Sequence, residues 1–277
     1  MVIGVGFSYK MDVMMTKKWR ADQLMVQQKL ADNRTQAAAF IMAGVVRNKG
    51  RLVEKPGQQF SEENILEVER KPYPWVSRAG VKLAHALDYF QLSAQTKICL
   101  DIGASTGGFC DVLLQQGAAK IYAVDVGRGQ LAWKIAQDSR VKILDQTNAR
   151  YLTDQQISEP LQAITCDASF ISLKLILPAA LQLAAEDSWL IALIKPQFEV
   201  GRQQVGKGGI VRDPQLHQAV CQDIAGWVQQ QAGWQVMGIT DSPITGTDGN
   251  REFLIAAIRH PGIKNEQLMT QEISLEK

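Results

Sequence analysis

Five short apolar runs constrain the fold of this 277-residue chain more than any other feature: KICLDIG (97–103), IYAVDVG (121–127), VKILD (141–145), AITCDAS (163–169) and WLIALIK (189–195). Each is about the length of a strand, and none alternates apolar with polar residues. That is the pattern of strands buried on both faces of a parallel sheet. Helix-like stretches lie between and after them: CDVLLQQ (110–116), LKLILPAALQLAA (173–185) and PQLHQAVCQDIAGWVQQ (214–230). Two more runs, WQVMGITDSPI (234–244) and REFLIAAIR (251–259), are joined by the turn TGTDGN and read as an antiparallel hairpin. The expected architecture is α/β and Rossmann-like, a doubly wound, mostly parallel seven-stranded sheet with a terminal hairpin. A helix over SRAGVKLAHALDYF (77–90) precedes it, with Ser77 as its cap and Val81, Ala84, Leu87 and Tyr89 or Phe90 facing inward.

The loop after the first run, DIGASTGGF (101–109), sits where such folds hold a nucleotide. A nucleoside triphosphate requires G-x-x-x-x-G-K-[ST]. Gly103 and Gly108 have that spacing, but Phe109 and Cys110 replace the lysine and the hydroxyl residue. A dinucleotide requires G-x-G-x-x-G, and Ser105 stands where the second glycine belongs. Asp101 at the strand end repels phosphate and attracts an ammonium or a sulfonium. S-adenosylmethionine carries both cations and no phosphate. Asp125, 22 residues beyond Gly103, ends the second run, where a carboxylate binds ribose hydroxyls. The candidate cofactor residues on these two strand ends are Asp101, Gly103, Ser105, Thr106, Gly107, Gly108, Phe109, Asp125 and Val126, joined by Asp167 at the end of the fourth run. Asp167 and Lys195 close the fourth and fifth runs, at the end of the sheet where ligand crevices form. A charge there is costly unless paired or functional.

Charge is uneven. Net charge is +2, yet residues 16–60 hold nine basic and three acidic side chains, which leaves −4 for the rest. Such a segment faces a polyanion or is a solvated surface. It reads as two short helices, with Leu24, Met25 and Leu30 on the first and Asn33 and Gly44 capping the second. A hairpin follows, turning at Asn48-Lys49-Gly50. The pattern Arg20-x-Asp22-x-Leu24, Leu30-Ala31-x-x-Arg34 and Ile41 to Val46 resembles the small RNA-binding domain named after ribosomal protein S-four. That resemblance implies contact with RNA phosphates through Arg20, Lys29, Arg34, Arg47, Lys49 and Arg51, with Arg78 beside the next domain.

Several further motifs occur in order: VDVGRGQLAWK, DASFISL, IKPQFE, GGIVRDP and SPITGTDGNREFL. Together with the N-terminal module they closely resemble the TlyA family, often labelled haemolysin A, whose catalytic domain is similar to FtsJ-type ribosomal RNA 2′-O-methyltransferases. The resemblance covers residues 16 to about 260. It implies a catalytic tetrad of Lys82, Asp167, Lys195 and Glu252. It also implies S-adenosylmethionine as methyl donor, no metal, and ribosomal RNA or a ribosomal subunit as partner. Lys195 is the candidate base, provided that burial and a second cation make its neutral form accessible; otherwise it positions the acceptor oxygen. Without the resemblance, Lys82 and Glu252 read equally as exposed surface charges. The family's charged pair before T-N-A-R is Asp145-Gln146 here, a candidate adenine rim, and the hairpin turn gains Asp248. KPYP before WVSR is expected to stiffen the linker.

The expected segments are an extension over 1–15, an RNA-binding domain over 16–60 and a last strand with linker over 61–77. The methyltransferase domain follows over 78–262, then a tail over 263–277. Met15-Thr-Lys-Lys-Trp looks like a natural beginning. Cys99, Cys110, Cys166 and Cys221 form no C-x-x-C pair and read as reduced core thiols of a cytoplasmic protein. No run has the roughly 20 apolar residues of a membrane span. The position reading DASF lacks the N/D-P-P-Y/F of base amino methyltransferases. A membrane-active haemolysin and a non-catalytic RNA-binding ribosome factor are the remaining alternatives.

Overall fold

The computed structural model describes residues 17–31, 33–42, 44–69, 73–246 and 249–260. The expected N-terminal extension and C-terminal tail, Lys71 and Pro72 of the linker, and Asp248 lie outside the described residues. The chain forms two compact units, one ending at Pro74 and one beginning at Trp75.

The first unit runs β1 (Lys18–Arg20), α1 (Ala21–Gln27), α2 (Arg34–Met42), β2 (Val46–Asn48), β3 (Arg51–Leu52), β4 (Gln59–Ser61) and β5 (Leu66–Val68). Leu24, Met25, Ile41, Val46, Phe60 and Leu66 form its core. Helix α1 stops earlier than expected: Lys29 adopts a left-handed φ of 57°, so Leu30 lies beyond the helix. Asn33 does cap the second helix, its Oδ1 accepting from the Gln36 amide at 2.9 Å. The hairpin is tighter than the three-residue reading. Asn48 pairs with Arg51, leaving a two-residue loop. Lys49 and Gly50 both have positive φ, at 49° and 76°, as a turn matching strand twist requires. Strands β2, β3 and β5 form one antiparallel sheet, and β1 pairs with β4 in a second. The β1–β4 pair was not expected, because three residues are too few to display alternation.

The second unit runs α3 (Ala79–Tyr89), β6 (Ile98–Ile102), α4 (Gly108–Gln115), β7 (Lys120–Val124), α5 (Trp133–Ala136), β8 (Val141–Leu144), β9 (Leu161–Cys166), α6 (Leu173–Ile176), α7 (Pro178–Gln182), β10 (Ala184–Ile194), α8 (Pro196–Glu199), α9 (Pro214–Gln229), β11 (Trp234–Asp241) and β12 (Phe253–Arg259). The strand order is β8-β7-β6-β9-β10-β12-β11. Neighbours from β8 to β10 are parallel, and β12 is antiparallel to both β10 and β11. This is the expected seven-stranded sheet with its terminal hairpin. The chain leaves β6 toward β7 on one side and returns to β9 on the other, which opens a crevice beyond β6.

Strand alternation divides the core in two. Leu100, Ile102, Ile164, Leu190 and Ile194 face α6, α7 and α9. Cys99, Ile121, Ala163, Ile191 and Leu193 face Leu83 and Leu87 of α3 and Leu113 of α4. The face of α3 is a correction. Leu83, Ala86, Leu87 and Phe90 turn inward, whereas Tyr89 is exposed and Val81 and Ala84 are only partly covered. The helix begins at Ala79, with Arg78 at its N-cap and no side-chain cap from Ser77. Trp75 packs so closely on Gly80 that a Cβ there would lie 2.7 Å from the indole Cγ, and this contact sets the helix rotation. Pro178 begins α7, where a missing N–H is harmless, and so divides LKLILPAALQLAA into two helices.

Candidate active site

Four charged side chains from distant parts of the chain meet at the carboxyl ends of β9 and β10. Lys82 comes from α3, Asp167 follows β9, Lys195 follows β10, and Glu252 precedes β12. Lys82 Nζ donates to Glu252 Oε2 at 2.5 Å and stands 3.7 Å from Asp167 Oδ2. Lys195 Nζ lies 2.6 Å from Asp167 Oδ1 and donates to Ser169 Oγ at 3.0 Å. The order Glu252–Lys82–Asp167–Lys195 thus alternates in sign, and Lys82, Lys195 and Glu252 are buried. Buried charges persist only when compensated in this way. The alternative of solvated surface charges for Lys82 and Glu252 is therefore corrected: rotation of α3 carries Lys82 inward beside Leu83.

All four residues line a cavity of about 400 Å³, walled by Arg78, Gly103, Phe109, Ser169, Phe170 and Phe198 among others. A second cavity of about 460 Å³ adjoins it along the ends of β6, β7 and β9. Gly103, Ser105, Asp167, Ser169 and Phe170 line both. The second contains Asp125, Val126, Gln130, Thr147 and Asn148 over an apolar floor that includes Ile102, Val124 and Ile176. It has two carboxylates and no lysine or arginine in its lining. Such a donor set suits a cationic ligand with hydroxyls and does not suit a phosphate.

The glycine loop has the geometry that its sequence demands. Gly103 has φ 80°, and a Cβ there would lie 2.9 Å from the Asp167 carbonyl oxygen. Gly107 has φ 89° and forms the N-cap of α4. Asp125 braces the loop, accepting from the Ser105 amide at 2.8 Å and the Gly127 amide at 2.7 Å. Ser105, Thr106, Gly108 and Phe109 line the first cavity.

Asp101 requires correction. It lines neither cavity and is wholly buried. Alternation along β6 turns it with Cys99 toward α4, opposite the face of Ile102. Its carboxylate accepts from Cys110 Sγ and from Thr165 Oγ1, both at 3.0 Å. Burial, reinforced by the charge of Asp167, pushes its pKa up to about 6 against these two bonds. Burial pushes the Cys110 thiol well above its ordinary value, so it is an inert donor. Gly107, Asp145 and Gln146 also lie outside both linings. Asp145 Oδ2 accepts from the Gly129 amide at 2.7 Å, holding the chain beyond β7 instead.

Two ties that sequence reasoning did not supply steady the walls. Glu199 accepts from Ser172 Oγ at 2.6 Å and the Leu173 amide at 2.9 Å, joining the segments that follow β9 and β10. Asn250, buried two residues before Glu252, accepts from the Val211 amide and donates to the Gly209 carbonyl, both at 3.0 Å. These bonds account for parts of the DASFISL, IKPQFE, GGIVRDP and GNREF motifs. Ser169 and Phe170 were also missed. Phe170 has φ 65° and is 89% exposed, a conformation that a sequence does not announce.

In the first unit, Arg20 and Arg34 both bind Asp22, at 3.0 and 2.9 Å, and remain about half exposed. Burial would raise Asp22, but the two guanidinium groups outweigh it and hold the carboxyl below its usual range. Arg47 pairs with Glu69 at 3.3 Å. Lys29, Lys49 and Arg51 are exposed. Arg78, exposed in the second unit, borders the tetrad cavity.

A doubly wound sheet with a glycine loop, a carboxylate at the second strand end and a phosphate-free cavity defines a Rossmann-type methyltransferase. The chain belongs to the FtsJ-like methyltransferase family, whose model matches residues 75–259. It is 44% identical to the 16S/23S rRNA (cytidine-2′-O)-methyltransferase TlyA of Mycobacterium tuberculosis, over 87% of this chain and 90% of that protein. It is 46% identical to YqxC of Bacillus subtilis, over 87% and 86% of the two chains. A solved structure from Streptococcus thermophilus, 40% identical, superposes with a TM-score of 0.69 over 92% of this chain and 96% of its own. Among the described residues, no helix is long and apolar enough to cross a membrane.

Proposed function

We propose that this protein transfers a methyl group from S-adenosylmethionine to a ribose 2′-hydroxyl of ribosomal RNA. The observation that carries this reading is the buried run Glu252–Lys82–Asp167–Lys195 in a cavity that shares a wall with a second, cation-compatible one. The second cavity fits the methyl donor. Asp125 would take its ribose hydroxyls, the bare backbone at Gly103 would admit its amino-acid portion, and Asp167 would face its positive charge. When bound, the donor supplies an electrophilic methyl group. The first cavity would receive the acceptor ribose, with Arg78 at its rim for a phosphate. The tetrad's part is to orient the acceptor oxygen and exclude water, since alignment supplies much of the rate in such a displacement. The printed activity of the TlyA relative supports the same acceptor.

The basic segment over 16–60 would grip RNA phosphates through Lys29, Lys49 and Arg51, and through Arg20, Arg34 and Arg47 once these exchange or share their carboxylate partners. Ribosomal RNA as substrate would place the protein in the cytoplasm. The test incubates purified protein and labelled donor with ribosomal subunits, naked ribosomal RNA and DNA, then maps the label. The expected result is label on a ribose of ribosomal RNA; label confined to DNA, protein or a base would overturn the reading. Lys195→Ala should abolish transfer while thermal unfolding and calorimetric donor affinity stay unchanged. Normal turnover by that variant would remove Lys195 from the mechanism.

A further inference from the structure

We infer that the Ser169 hydroxyl is the group that receives the acceptor's 2′-hydroxyl, and that Lys195 acts on the acceptor through it. The inference rests on the ribose reading above. Five residues form the wall shared by the two cavities, and the methyl group must cross between the cavities there. Gly103 has no side chain. Phe170 has no hydrogen-bonding side chain. Asp167 is engaged by both lysines. Ser105 has no hydrogen bond to the tetrad, and its amide is held by Asp125. Ser169 alone is both exposed on that wall and hydrogen-bonded to a tetrad member, with Lys195 Nζ at 3.0 Å.

The chemistry of a hydroxyl completes the argument. Its oxygen has two lone pairs and one rotatable proton. The Lys195 ammonium occupies one lone pair of Ser169 Oγ, and the other is free for the O–H of an acceptor. An acceptor so held keeps a lone pair of its own for the neighbouring cavity, which is the alignment that transfer needs. Lys195 has little surface for direct contact: its side chain is 8% exposed and its ammonium is already against Asp167. Its positive charge nevertheless polarises Ser169, so the lysine can act one atom removed.

The test uses the full chain and two RNAs of the mapped substrate sequence, one with ribose and one with 2′-deoxyribose at the target nucleotide. Binding is measured with the demethylated donor product present, so no turnover intervenes. Wild-type protein should bind the ribose RNA about 3- to 10-fold more tightly, the worth of one hydrogen bond. Ser169→Ala should erase that preference and lower kcat on the order of 10²-fold, with donor affinity unchanged. Ser169→Thr, which keeps the hydroxyl, should restore the preference. A preference retained by Ser169→Ala, or wild-type kcat in that variant, overturns the contact while leaving the ribose reading standing. Loss of donor affinity in Ser169→Ala overturns it in favour of a bracket for the cofactor wall. Wild-type label mapped to a base overturns the ribose reading and this contact together.

Discussion

At the scale of single residues, Asp101 shows how one carboxylate can be rightly noticed and wrongly placed. Its position before a glycine loop is visible in the sequence, but which face of a doubly buried strand it occupies is not. Both neighbours, Leu100 and Ile102, are apolar and buried, so no alternation marks the inward side. The structure makes it the anchor beneath the loop, tied to Cys110 and Thr165. Its pKa near 6 lies above the ordinary 3.8, so the folded state binds this proton more tightly than the unfolded chain does. Stability should therefore fall as pH rises from about 4 to 6, by roughly 3 kcal/mol in all. Asp101→Asn should lack this dependence. Urea unfolding of both proteins between pH 4 and 7 measures it: the variant gains on wild type as pH rises, and parallel curves would refute a neutral-to-charged change at this site. Ser169 and Phe170 escaped notice for a different reason. Their importance comes from which walls they share, a property of the assembled fold.

Among elements, the long and strongly apolar ones were legible, and the short or two-sided ones were not. The five parallel strands and the closing hairpin announce themselves by length and by their glycine and proline boundaries. Strands β1 and β4, three residues each, carry no period. Helix α3 offered two apolar faces one residue apart, and only the contact of Trp75 with Gly80 selects between them. That choice is functionally decisive, because it turns Lys82 toward Glu252. The seating of α3 on α4 depends on Gly108, where a Cβ would approach both the Ala79 Cβ and the Gly80 amide nitrogen to 3.1 Å. Gly108→Ala should push the two helices apart, costing about 1–3 kcal/mol of stability. Because α3 carries Lys82, kcat should fall as well. Denaturant melts and single-turnover rates report the two effects, and an unchanged melt would show that the contact has slack.

For the whole molecule, the sequence reading located both units through charge and pattern, and the structure gives each its own core. A fragment beginning at Trp75 retains both faces of the seven-stranded sheet and all four tetrad residues. It should fold, melt cooperatively and bind the methyl donor with near full affinity. It should lose most of its affinity for RNA, and its binding should depend less steeply on salt than that of the full chain, because fewer phosphates are neutralised. Salt titrations of RNA binding by both proteins test this, and equal slopes would argue that the basic segment makes no phosphate contacts.

The dispersal of the tetrad also sets a schedule for biosynthesis. Lys82 is made early, Asp167 and Lys195 midway, and Glu252 within the last tenth of the chain. Strand β12, immediately after Glu252, is hydrogen-bonded to β10 and β11 and is the last strand to be translated. A nascent chain can therefore complete its parallel strands while still lacking the carboxylate that holds Lys82. Premature termination anywhere before residue 252 yields a product with much of its sheet and an incomplete centre.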